Sequence, residues 1–120
     1  MIRILVIDDE AAVRDMMRQT LERAGYEVVD ARDGRQGLVQ LRQQPVNLVI
    51  TDILMPEQEG IETIRILRKE FPQIKILAIS GGGKLGKLEV LPVAQAFGAH
   101  CTLAKPFERK DLLDAVSTLV

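Results

Sequence analysis

Hydrophobic residues fall on consecutive positions in three short runs: Ile4–Ile7, Leu48–Ile50 and Ile76–Ile79. A strand covered on one face alternates apolar and polar residues, whereas a strand covered on both faces has no polar side to show. These runs therefore predict central strands of a parallel sheet. Glu27–Ala31 and Cys101–Ala104 are more mixed and suit its edges. Between the strands the apolar period lengthens to three and four residues. Val13, Met16, Met17, Thr20, Leu21 and Ala24 predict a first helix, stopped by Gly25. Leu38 and Leu41 predict a second, entered after Asp33 as N-cap and ended by Pro45. Ile61, Ile64, Leu67 and Phe71 predict a third, closed by Pro72. Val93, Ala94 and Phe97 predict a fourth ending at Gly98, and Leu112, Leu113, Val116 and Leu119 a fifth.

The order is strand then helix, five times, with no linker or low-complexity stretch. That alternation predicts an α/β, doubly wound, five-stranded parallel sheet with helices on both faces, a (βα)5 arrangement. Residues 1–120 are expected to form one domain, a size that supports a real core. The net charge of −1 lends no support to direct nucleic-acid binding. No apolar run reaches membrane-spanning length, and "MIRILVIDDE" turns acidic too early for a signal peptide. A single cysteine, Cys101, excludes an internal disulfide. Together these favour a cytoplasmic protein without membrane insertion.

"SGGGKLGKL", Ser80 to Leu88, resembles a phosphate-binding loop, but Leu88 stands where that loop needs a hydroxyl for magnesium. The chemistry is better sought at the carboxyl ends of the strands, where doubly wound sheets carry their sites. The first strand ends in Asp8, Asp9 and Glu10, the third in Asp52, the fourth in Ser80 and the fifth in Lys105–Pro106. Taken singly, an acidic residue there caps a helix, a serine makes a turn and a lysine is a solvated charge. All of them fall on one edge of one sheet. Converging carboxylates repel and raise one another's pKa, and a divalent cation removes that penalty. A few hard oxygen donors favour Mg²⁺. A carboxylate, Mg²⁺, a lysine and a hydroxyl together suit phosphoryl transfer.

With "ILVIDDE", "LVITDILMP", "ILAISG" and "AKPF" each following its own strand, the whole chain resembles the CheY-like receiver domain of two-component response regulators. The resemblance implies a flavodoxin-like sheet of strand order 2-1-3-4-5. It implies Asp52 as phosphoacceptor, and Mg²⁺ bound by the carboxylates of Asp9 and Asp52, the Leu54 carbonyl, and Asp8 through a water. It further implies Ser80 as the hydroxyl that engages the phosphoryl group, Lys105 as the catalytic lysine, and a cis Lys105–Pro106 bond. The implied partners are a sensor histidine kinase or histidine phosphotransfer protein, and a downstream effector. Such a chain catalyses its own phosphotransfer and dephosphorylation, but acts as a switch rather than a turnover enzyme.

Three features depart from the family. Thr102 stands where an aromatic switch residue is usual; the Ser80-to-Lys105 interval is a few residues longer than the family's; and the given sequence stops at Val120 with no output domain in it. A stand-alone receiver and a segment of a longer protein are both compatible with that end. The excess length lies in the glycine-rich stretch Gly81 to Leu88, expected to be weakly restrained and to pass on movement of Ser80. His100 and Cys101 are expected to be structural. Three alternatives fit less well. A haloacid dehalogenase-type phosphatase needs D-x-D after the first strand. A flavodoxin-like cofactor binder needs aromatics that this chain lacks. A pseudo-receiver would not retain Asp52, Ser80 and Lys105 together.

Overall fold

A computed structural model describes residues 1–53, 59–80 and 98–120. Five parallel strands form one sheet: β1 (Arg3–Ile7), β2 (Glu27–Ala31), β3 (Leu48–Asp52), β4 (Lys75–Ser80) and β5 (Cys101–Ala104), in the order β2-β1-β3-β4-β5. Four helices accompany them among the described residues: α1 (Ala11–Arg23), α2 (Gly34–Gln43), α3 (Glu59–Glu70) and a C-terminal helix (Arg109–Leu119). The fourth helix expected around Val93, Ala94 and Phe97 lies outside the described residues, as do Leu54 and Gly81 to Leu88.

The unbroken apolar runs are explained by two cores. Along β1, Leu5 and Ile7 enter one core with Val49, Ile76 and Ala78, covered by Leu38 and Leu41 of α2 and Ile64 and Leu67 of α3. Ile4 and Val6 enter the other with Leu48, Ile50, Leu77 and Ile79, covered by Met17 and Leu21 of α1 and Leu112 and Val116 of the C-terminal helix. Successive side chains point to opposite faces, so burial on both sides requires every position to be apolar.

The helix ends follow local chemistry. Gly25 adopts φ 97°, a left-handed turn after α1 that a side chain disfavours. The Asp33 carboxylate accepts the Gln36 N–H at 2.8 Å and starts α2. The C-terminal helix opens with a reciprocal cap between Glu108 and Asp111. Gly60, near the start of α3, is needed for close approach: a Cβ there would overlap the Ile53 Cα and sit 2.5 Å from the Asp52 carbonyl oxygen.

His100 extends the hydrogen bonding between β4 and β5. Its N–H donates to the Ile76 carbonyl at 2.8 Å, and its Nδ1 accepts the Ile76 N–H at 3.1 Å. An Nδ1 that accepts cannot carry a proton. Partial burial, followed by the charges of Arg68 and Lys75, holds the imidazole below its usual pKa.

Two expectations follow. Gly60→Ala must push α3 away from immobile backbone, which destabilises the fold by about 1–3 kcal/mol in urea denaturation. Below pH 6.5 the unfolded chain takes up a proton at His100 before the folded one does. Stability present above that pH is therefore lost as pH falls through the lower folded value. Thermal melts at stepped pH should show that loss in the wild type and not in His100→Asn, whose amide oxygen can still accept from Ile76.

Candidate functional site

The parallel pairing sets four strand ends side by side. Ile7 pairs with Thr51, Asp52 with Ile79, and Ser80 with Ala104, so the residues leaving β1, β3, β4 and β5 emerge on one edge. The ladder continues past the strands. Asp8 N–H reaches the Ala31 carbonyl at 3.2 Å, Ile53 N–H the Ile79 carbonyl at 2.9 Å, and Lys105 N–H the Ser80 carbonyl at 2.8 Å. This last bond ties the residue carrying the hydroxyl to the residue carrying the ammonium.

Asp8 and Asp52 are buried and Asp9 is exposed. One oxygen from each of the three carboxylates can be chosen so that all lie within 4.8 Å of one another. Lys105 Nζ lies between two of them, donating to Asp8 Oδ2 at 3.0 Å and Asp52 Oδ2 at 2.9 Å, with Glu10 Oε1 at 3.7 Å. The other Asp8 oxygen accepts the Glu10 N–H at 2.8 Å. Ser80 occupies the last position of β4 and is buried, rather than sitting in an exposed turn. The Lys105–Pro106 peptide is cis. Thr102 lies within β5 opposite Ala78, half-buried.

Burial pushes the Asp8 carboxyl above its ordinary pKa, and the Asp52 charge adds to this. The Glu10 N–H and Lys105 pull the other way without cancelling it. Desolvation is thus a larger cause at Asp8 than the charge repulsion expected between neighbouring carboxylates. Burial also works against the Lys105 ammonium, but the hydrogen bonds and charges of Asp52 and Asp8 outweigh it and hold the pKa above that of free lysine. Three carboxylates facing one ammonium leave excess negative charge, and the oxygen-only donor set is compatible with a divalent metal.

The structure therefore brings Asp8, Asp9, Asp52 and Lys105 together, with Ser80 joined through its backbone. Leu54, expected to offer its carbonyl, lies outside the described residues. Sequence reasoning missed Arg14, whose Nη1 donates to the Asp8 carbonyl at 2.7 Å and braces the loop carrying the acidic pair. Its position one turn into the helix that follows the acidic strand end was the available signal. Glu10, noted at that strand end without a role, reaches toward Lys105.

Comparison with known proteins agrees with this geometry. Residues 4–117 match the response regulator receiver domain family model. The chain is 32% identical to the response regulator receiver protein CpdR of Brucella abortus, over 98% of this chain and 96% of that protein. It is 36% identical over 98% of its length to part of the CAI-1 autoinducer sensor kinase/phosphatase CqsS of Vibrio cholerae, of which it spans 17%. It also spans less than half of several transcriptional regulators that match. The solved structure of chemotaxis response regulator CheY4 of Vibrio cholerae superimposes with a TM-score of 0.88 at 30% identity, covering 100% of this chain and 99% of that one. A doubly wound sheet carrying an acidic cluster and a lysine on one edge, matched nearly end to end by these proteins, places the chain in the response regulator receiver domain family, the phosphoacceptor receivers of two-component signalling.

Proposed function

We propose that Asp52 is the phosphoacceptor, that Mg²⁺ is held by Asp8, Asp9 and Asp52, and that residues 1–120 work as one receiver unit. The observation that carries this reading is the buried Asp52 carboxylate at the end of β3, held by Lys105 at 2.9 Å and clustered with two further carboxylates. The donor is a phosphohistidine on a sensor histidine kinase or a histidine phosphotransfer protein. A carboxylate oxygen of Asp52 attacks phosphorus, the P–O bond forms, the P–N bond breaks and the electron pair leaves with the imidazole. When bound, Mg²⁺ supplies positive charge against the transferring phosphoryl oxygens.

The chain's own residues do the rest. Lys105 releases a carboxylate oxygen of Asp52 and turns its ammonium to the incoming phosphoryl group. Arg14 and the Glu10 N–H keep the Asp8 loop in place while this happens. The product adds about −1.5 to −2 charges. Ser80 and Lys105 hydrogen-bond to it, and because their backbones are already joined, movement of one is passed to the other. The receiver then acts on a downstream effector through the rearranged surface. Thr102, at the switch position, lacks the ring that the family usually turns inward there.

Asp52→Asn tests the acceptor. Labelling by radiolabelled acetyl phosphate in Mg²⁺ should fall to background, with circular dichroism unchanged, and beryllofluoride should no longer perturb the NMR spectrum. Labelling that persists would assign the acceptor elsewhere.

Asp8→Asn tests the metal reading. Because the folded Asp8 pKa is raised above 3.8, the metal-free fold loses stability as pH climbs from 3.8 through the folded value, and the loss persists at neutral pH. The amide removes that loss, so the metal-free melting temperature should rise while the added stability conferred by Mg²⁺ shrinks. Unchanged Mg²⁺ stabilisation in this variant would place the ion elsewhere.

A further inference from the structure

Glu10 is the N-cap residue of α1, yet its side chain makes no capping hydrogen bond. Glutamate is not among the preferred N-caps. Its charge suits a helix N-terminus, but that alone requires no approach to Lys105. The backbone of Glu10 is fixed on both sides: its N–H donates to Asp8 Oδ1 at 2.8 Å, and its carbonyl accepts the Arg14 N–H at 3.0 Å. From this anchored root the side chain places Oε1 3.7 Å from Lys105 Nζ. Among the described residues, the carboxylates that can converge on a cation are those of Asp8, Asp9 and Asp52, without Glu10.

The side chains of Asp52, Lys105 and Glu10 are graded by depth, at 3%, 12% and 66% exposed. A phosphoryl donor arriving from water therefore reaches Asp52 by way of Lys105 and Glu10. Attack on phosphorus is in line, so the bond that breaks points away from Asp52, toward the solvent side where Glu10 stands. An ammonium has three N–H donors, and two of those on Lys105 go to Asp8 and Asp52. Glu10 lies beyond hydrogen-bonding distance of that ammonium and is mostly in water. With the other three carboxylates engaged by Lys105 or a bound cation, Glu10 is the negative charge left on the leaving-group side.

We propose that Glu10 is a specificity-determining residue, which disfavours donors whose leaving group departs as an anion and favours those that release a nitrogen base. The inference rests on Asp52 as the acceptor. With an acyl phosphate, a carboxylate oxygen of Asp52 forms the new P–O bond, the acyl P–O bond breaks, and the electron pair leaves on a carboxylate that Glu10 repels. With phosphoramidate, whose nitrogen is protonated at neutral pH, the P–N bond breaks, the pair returns to nitrogen, and ammonia leaves uncharged. Glu10 attracts the positive nitrogen of that donor and does not oppose its departure. A phosphohistidine offers the same kind of P–N bond.

Initial rates of phosphorylation by acetyl phosphate and by phosphoramidate, in saturating Mg²⁺, can be read on the full chain by intact mass. The ratio of the acetyl phosphate rate to the phosphoramidate rate cancels any uniform loss of folded protein. It should rise about threefold in Glu10→Gln and about tenfold in Glu10→Lys, the effects of removing and reversing one charge at about 6 Å in water. Both differences should shrink near 1 M salt, where screening acts within about 3 Å. Glu10→Asp keeps the charge and should stay near the wild type, and Mg²⁺ should still raise the melting temperature of Glu10→Gln. An unchanged ratio in Glu10→Gln and Glu10→Lys overturns the proposal, as does a Glu10→Asp ratio that moves as far as that of Glu10→Gln. Loss of Mg²⁺ stabilisation in Glu10→Gln overturns it by making the residue a metal ligand. An unlabelled wild type, or labelling that survives Asp52→Asn, removes the acceptor reading and this proposal with it. Asp52-dependent labelling at an unchanged ratio removes the proposal alone.

Discussion

Everything at the functional edge is organised around one ammonium between two buried carboxylates. Lys105 keeps 12% of its side chain exposed, against 0% for Asp8 and 3% for Asp52. Taking three charges out of water is expensive, and their attraction repays it only when the geometry and hydrogen bonding are good. Here both are met, since Asp8 also accepts the Glu10 N–H. The balance nevertheless leaves more negative than positive charge, with Asp9 close by. Such an arrangement contributes little net stability and is compatible with a divalent cation. It suits a cation-dependent site better than a structural one.

That cluster exists only because the sheet is parallel and in register. Asp8, Asp52, Ser80 and Lys105 come from four different strand ends, separated by up to 97 residues between Asp8 and Lys105. A one-residue slip of β3 would turn Asp52 to the opposite face and exchange the two cores. The apolar runs prevent it. Ile50 and Val49 belong to different cores, and both are fully buried in the observed register. The hydrophobic packing on both faces thus fixes where the carboxylate goes, and Gly60 lets α3 start directly against the backbone that carries it.

The two faces of the sheet are not equivalent. On one, α1 and the C-terminal helix are linked by Arg109, which donates to Thr20 Oγ1 at 2.8 Å, while that hydroxyl donates to the Met16 carbonyl. On the other, α2 and α3 meet across a cleft lined by arginines and crossed by the exposed Arg42–Glu70 pair. A part-buried hydrogen bond holds elements more firmly than a solvated ion pair, which yields to competitors.

The sequence by itself determined the sheet, the helices at its faces and the identity of the acidic and basic strand-end residues. Consecutive apolar residues cannot serve a strand with a wet face, and Gly25 and Asp33 marked their helix boundaries through backbone and capping chemistry that acts locally. The C-terminal helix cap was also local, but Glu108 is an uncommon N-cap and its pairing with Asp111 was not read. Long-range matters were decided by tertiary structure. Burial, more than mutual repulsion, raises the Asp8 pKa, and burial is a property of the packed edge rather than of "IDDE". Arg14 reaches Asp8 because α1 turns back over the strand end. His100 could be read as structural, but not as an acceptor for Ile76, because that bond spans 24 residues and forms only once β4 and β5 lie side by side. Local chemistry chose the elements; the register between distant strands chose which charged groups would meet, and how far from water.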